Sequence, residues 1–87
     1  MKQNTPHISP DSVKRTFVKT LRTFDTNKVP REDAREEFSN HINHHYDNDE
    51  TFEACLELAK TEYWVYTDRS MGTNYITITT DCPKVND

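Results

Sequence analysis

The chain has 87 residues, of which 30% are charged and 32% hydrophobic, with a formal net charge of −4 at pH 7. That length gives one domain with a small core, in which each apolar position counts. No run of about 18 apolar residues occurs, so no membrane span is expected, and the stretch MKQNTPHISP lacks the apolar centre of a secretory signal.

The net charge hides an asymmetry. Lys2, Lys14, Arg15, Lys19 and Arg22 stand against Asp11 in residues 1–24, for a net +4. Residues 25–63 carry four basic and eleven acidic side chains, a net −7. Any nucleic-acid surface is therefore expected on the first helix, while the middle of the chain repels phosphate. Two cysteines, Cys55 and Cys82, are too few for a disulfide framework. Cys55 falls on an apolar stripe as a buried thiol, and a reducing, cytoplasmic location is the expectation.

Residues 1–8 read as a flexible tail. Ser9-Pro10-Asp11 then signals a helix start: a capping hydroxyl, a proline suited to the first helical position, and an acid at the positive helix end. Val13, Phe17, Leu21 and Phe24 follow at spacings of 4, 4 and 3, within about 80° of one another on a helical wheel. Arg15, Lys19 and Arg22 fall roughly opposite. The first helix, 10–24, is thus expected to have a core face and a basic face.

Asp25 to Lys28 is turn chemistry, and Val29 adds a short extended segment. Pro30 opens a second helix with Glu32 and Asp33 in its first turn and Ala34, Phe38 and Ile42 as its buried stripe. His44-His45-Tyr46 is the connection. Asp47, with Glu50 three residues on, resembles a capping box for a third helix. Phe52, Cys55, Leu56, Ala59 and Tyr63 give that helix a strong period as far as Glu62.

Tyr63–Thr67 and Tyr75–Thr80 are aromatic and β-branched, with a loop from Asp68 to Thr73 between them. They read as a hairpin with Val65, Ile76 and Ile78 on one face and Trp64, Tyr66 and Tyr75 on the other. The expected fold class is α+β: three helices followed by a C-terminal β-hairpin, as a domain over 9–80 with a loose tail over 81–87.

The order of elements, the passage Lys28-Val29-Pro30-Arg31-Glu32-Asp33-Ala34 into the second helix, and the third helix running into Tyr63-Trp64-Val65-Tyr66 resemble the winged helix-turn-helix superfamily over residues 10–80. The hairpin would be the wing. The resemblance implies DNA binding, with the third helix in the major groove and the wing on the backbone. Phosphate contacts would come from Lys14, Arg15, Lys19, Arg22 and Arg69, and Asn48 and Thr51 would be the neutral polar readers near the start of the third helix. That helix otherwise exposes Asp49, Glu50, Glu53, Glu57, Lys60 and Glu62, and it carries no arginine to pair with guanine.

Two further constellations have ordinary counterparts. His41, His44 and His45 at i, i+3 and i+4, near Asp47 and Asp49, match the spacing of a zinc site, but also that of a helix end whose dipole histidines complement. The acidic run 47–50 lacks the glycine of a calcium loop and reads as helix capping. No catalytic triad, phosphate loop or metalloprotease motif occurs, and no metal or other cofactor is implied. On the resemblance, the expected function is a DNA-binding transcriptional regulator, not an enzyme, acting as a homodimer. The alternative is a protein-interaction module, or an acidic mimic of DNA that occupies a nucleic-acid-binding partner. Trp64, Tyr66 and Tyr75 are the expected partner surface.

Overall fold

A computed structural model describes residues 9–41 and 48–85. The fold is α+β, with three helical segments and a three-stranded antiparallel sheet. Helix α1 runs without a break through an α-helical turn Pro10–Ser12, a π-helical stretch Val13–Val18 and an α-helical turn Lys19–Leu21. Ser9 caps it as expected: its hydroxyl accepts from the Ser12 amide at 3.2 Å, with Pro10 at the first helical position. The wider π turn broadens the buried face, so Val18 and Thr20 join Val13, Phe17 and Leu21 in the interior. The buried Thr20 hydroxyl donates to the Thr16 carbonyl at 2.6 Å, which satisfies it locally. The helix ends at Leu21 instead of Phe24. Thr23 and Phe24 bond back three residues, to Thr20 and Leu21, and tighten the last turn.

The strands are not a simple C-terminal hairpin after three helices. Strand β1, Lys28–Pro30, lies between the first two helices and pairs with β3, Thr73–Ile78, through Lys28↔Thr77, Val29↔Ile76 and Pro30↔Tyr75. Strand β2, Val65–Ser70, pairs with the other side of β3, giving the order β1-β3-β2. The Val29 segment was legible as extended; its partner, 47 residues away, was not.

Helix α2, Arg31–Ser39, follows β1 directly, with Pro30 as its flanking residue and Glu32 and Asp33 in its first turn. It buries Ala34 and Phe38; Ile42 lies outside the described residues. Helix α3 is Asn48–Thr61, and the Asp47 cap also lies outside the described residues. The end of α3 is clear: the Trp64 amide bonds to the Ala59 carbonyl and the Tyr63 amide to the Lys60 carbonyl, both at 3.0 Å. This is the paired closure that needs a left-handed residue after the helix, and Tyr63 supplies it at φ +63°. Tyr63 is thereby turned out, 75% exposed, and does not continue the buried stripe.

The hairpin loop is shorter than the expected 68–73. Met71 (φ +51°) and Gly72 (φ +81°) make a two-residue turn with positive φ at both positions, whose twist matches that of the strands, so the ladder extends to Ser70↔Thr73.

Phe17, Phe38 and Phe52, one from each helix, meet with centroids 5.4–5.9 Å apart and rings tilted 54–71°. Val65, Ile76 and Ile78 close this core from the sheet, as the hairpin alternation predicts, and Val29 joins them from β1. The segment after Asp81 is not loose as far as residue 85. Cys82 is buried, Val85 packs on the core, and Arg22 donates to the carbonyls of Cys82 and Pro83 at 3.1 and 3.2 Å.

Candidate functional site

Three surfaces carry the expected site residues, and the fold treats each differently. The first is the outward side of α3. Thr51, expected as a base reader, is 7% exposed, because it falls beside Phe52, Cys55, Leu56 and Ala59 on the helix face turned to the core. Its hydroxyl has no hydrogen-bond partner among the described residues. The side chain of Asn48 lies outside the described residues. Two exposed acids of α3 are tied to α2: Arg31 pairs with Glu53, and Arg35 bridges Asp49 at 2.9 Å and Glu32 at 2.8 Å. Within α3, Lys60 pairs with Glu57 at 3.3 Å. Arg31 also lies over the Phe52 ring, 5.5 Å from its centroid. The hydrogen bond and charge of Arg35 hold the Glu32 carboxyl below its ordinary range.

Arg31 and Arg35 were missed as site residues. The i, i+3 spacing of Glu32 and Arg35 was visible in the sequence, whereas their reach to Glu53 and Asp49 depends on how α2 crosses α3.

The second surface is the basic side of α1. Arg15 and Lys19 are exposed there, and Lys14 lies 3.7 Å from Asp11. Arg22, expected in the same stripe, is also exposed but is anchored on the Cys82–Pro83 carbonyls. Arg69 is elsewhere, on β2. It shares with Arg31, Glu53, Glu57, Lys60 and Asp68 an open groove of about 390 Å³ between α3 and the hairpin. Cations and acids are balanced among these six, so the groove has no single sign. The five expected phosphate contacts are thus not brought into one patch by their secondary structure.

The third surface is the outer side of the sheet. The registers place Lys28, Thr77 and Tyr66 in one row and Pro30, Tyr75 and Asp68 in the next. None of the six is buried, Tyr66 is 53% exposed, and the Lys28 ammonium stands 4.6 Å from the centroid of Tyr75. Trp64 departs from its expected place. It sits in the bend between α3 and β2, half-buried, and packs on the core. The chain has not yet entered the pleat at Trp64, so alternation does not govern it.

Of the histidine cluster, His44, His45 and Asp47 lie outside the described residues. His41 is engaged at the end of α2, its Nδ1 donating to the Glu37 carbonyl at 2.8 Å. Among the described residues, no group of three or more His, Cys, Asp or Glu side chains could hold a metal ion, and no helix is long and apolar enough to cross a membrane. Cys55 and Cys82 are free thiols; burial pushes Cys55 up to about 11 and raises Cys82 as well, against the opposing charge of Arg22.

In comparisons with known proteins, no family model, no curated protein and no solved structure matches the chain.

Proposed function

We propose that this chain is a small winged-helix-like module that acts by binding a protein partner through the outer face of its sheet. The hairpin following the third helix supports the winged-helix likeness. The observation that carries the functional reading is the state of α3. In a DNA reader this helix would enter the major groove. Here its outward side is acidic, with Glu53 and Asp49 held by Arg31 and Arg35, and Thr51 is in the core. Bringing that surface to DNA sets carboxylates against phosphates and works against the counterion release that drives such binding. The sheet face instead offers Tyr66 and Tyr75 among Lys28, Pro30, Asp68 and Thr77. Tyrosine is a frequent interface anchor because it buries a large apolar area and keeps a polar tip. Photo-crosslinking in the native host, with a reactive group in place of Thr77, tests this. The wild-type face captures a discrete protein, and Tyr66→Ala with Tyr75→Ala, still folded, loses it; capture unaffected by both substitutions contradicts the reading.

The exposure of Arg15 and Lys19 favours a second reading, a regulator that contacts the DNA backbone through α1 and the hairpin. Such contacts position a protein on a duplex without reading its sequence.

A further inference from the structure

Among the described residues, no further strand pairs with either edge of the sheet, and the two edges differ. At the β1 edge, the Ile78 amide bonds to the Asn27 carbonyl. In an antiparallel ladder, the groups facing β3 alternate along the strand, so those of Asn27 and Val29 point inward and those of Lys28 and Pro30 outward. This edge is three residues long and ends in a proline, which has no N–H to offer.

The β2 edge lacks these protections. The Thr79 amide bonds to the Trp64 carbonyl at 2.9 Å, and the register then continues unbroken from Val65↔Ile78 to Ser70↔Thr73. By the same alternation, Tyr66, Asp68 and Ser70 bond to β3, while the N–H and C=O groups of Val65, Thr67 and Arg69 point away from it. The strand is six residues long and has no proline or bulge. Tyr66, Thr67, Asp68 and Arg69 are all exposed.

We propose that two copies of the chain pair antiparallel through β2, about a two-fold axis at Thr67, to form one six-stranded sheet. The outward groups are symmetric about Thr67. Pairing Thr67 with its own counterpart, and Val65 with Arg69 in both directions, uses all six outward groups of each chain. On the outer face the same register sets Asp68 opposite Tyr66 of the second copy, a carboxylate facing a phenol. One adjacent register allowed by the pleat sets Asp68 opposite Asp68 at the close, non-hydrogen-bonded spacing, where like charges oppose pairing. The other, centred on Tyr66, pairs only Val65 with Thr67 and leaves the outward groups of Arg69 unused, so the Thr67 register satisfies the most groups without opposing like charges. The pairing joins the two outer faces into one surface with a Tyr66 on each side of the axis. It goes beyond the proposed function, since it holds whatever that face binds.

The test is sedimentation equilibrium from roughly 10 μM to 1 mM, a range suited to a small interface. The expected result is a monomer–dimer equilibrium. Thr67→Pro removes only an outward N–H, which an edge strand tolerates, and weakens dimerisation by at least about tenfold while the circular dichroism stays native. Amide exchange on the wild type gives an independent reading. The Val65, Thr67 and Arg69 amides become protected as concentration rises, whereas those of Tyr66, Asp68 and Ser70 are protected throughout. A wild type that stays monomeric to the top of the range overturns the proposal. So does a dimer in which the three outward amides still exchange freely, or a folded Thr67→Pro that dimerises as well as the wild type.

Discussion

Arg35 reaches from the second helix to the third, its Nη1 2.9 Å from Asp49 Oδ1, while its Nη2 lies 2.8 Å from Glu32. One guanidinium thus ties the first turn of α3 to the helix before it. Glu32 carries a pH signature of this arrangement. Its carboxyl is held below the usual 4.5 by the hydrogen bond and charge of Arg35. A carboxyl lowered in the folded state contributes stability that is present above its unfolded value and lost as pH falls through the folded one. Urea unfolding at pH 7 and again below pH 4 should therefore show the wild type losing more stability than Glu32→Gln. Equal losses would mean that the pair is absent in solution.

The triangle of Phe17, Phe38 and Phe52 brings all three helices together through large side chains. Phe52→Ala should cost about 3–5 kcal/mol, from lost transfer energy and the cavity left behind. Small domains hold roughly 5 kcal/mol or a little more in total, so this variant should be marginally stable and melt well below the wild type. Thermal melting followed by circular dichroism checks it.

Tyr63 occupies a backbone conformation that glycine adopts without strain, at φ +63°. A left-handed conformation costs an ordinary residue roughly 1 kcal/mol, and the exposed ring recovers little of that by packing. Tyr63→Gly should therefore stabilise the domain, by up to about 1 kcal/mol, and raise its melting temperature. A lower melting temperature would show that the ring packs against the protein in solution.

The buried thiols make an alkaline prediction of the opposite sign. Cys55 is raised from 9.0 to about 11 by burial. A group raised in the folded state contributes stability that is complete below its unfolded value and lost as pH climbs towards its folded one. Between pH 9 and 11 the wild type should lose more stability than Cys55→Ala does, relative to each protein at pH 8. At pH 8 both thiols should resist a disulfide reagent until denaturant is added.

Much of the fold was legible because it follows from local chemistry. Ser9-Pro10-Asp11 fixed the start of α1, and Val65, Ile76 and Ile78 announced the buried face of the hairpin. What escaped depends on partners far away in the chain. The pairing of Val29 with Ile76, the descent of Cys82 into the core and the bond from Arg22 to Cys82 leave no local period. Two local signals were misleading. Trp64 was assigned a face by strand alternation, but it sits in the bend before the strand begins. Residue type suggests Thr51 as a polar reader, although its spacing to Cys55 places it on the core stripe. The basic positions of α1 were read correctly as exposed, but their relation to Arg69 could not be read from sequence, since it depends on where the hairpin lies.

The proposed function rests on α3 not reading DNA. A titration of the labelled protein with a mixed-sequence duplex, followed by amide chemical shifts at low salt, tests it residue by residue. The account predicts that the amides of α3 do not move, and that any shifts are weak, fall around Arg15 and Lys19, and vanish as salt is raised. Saturable shifts along α3 that differ between duplex sequences and persist at about 150 mM salt would contradict it.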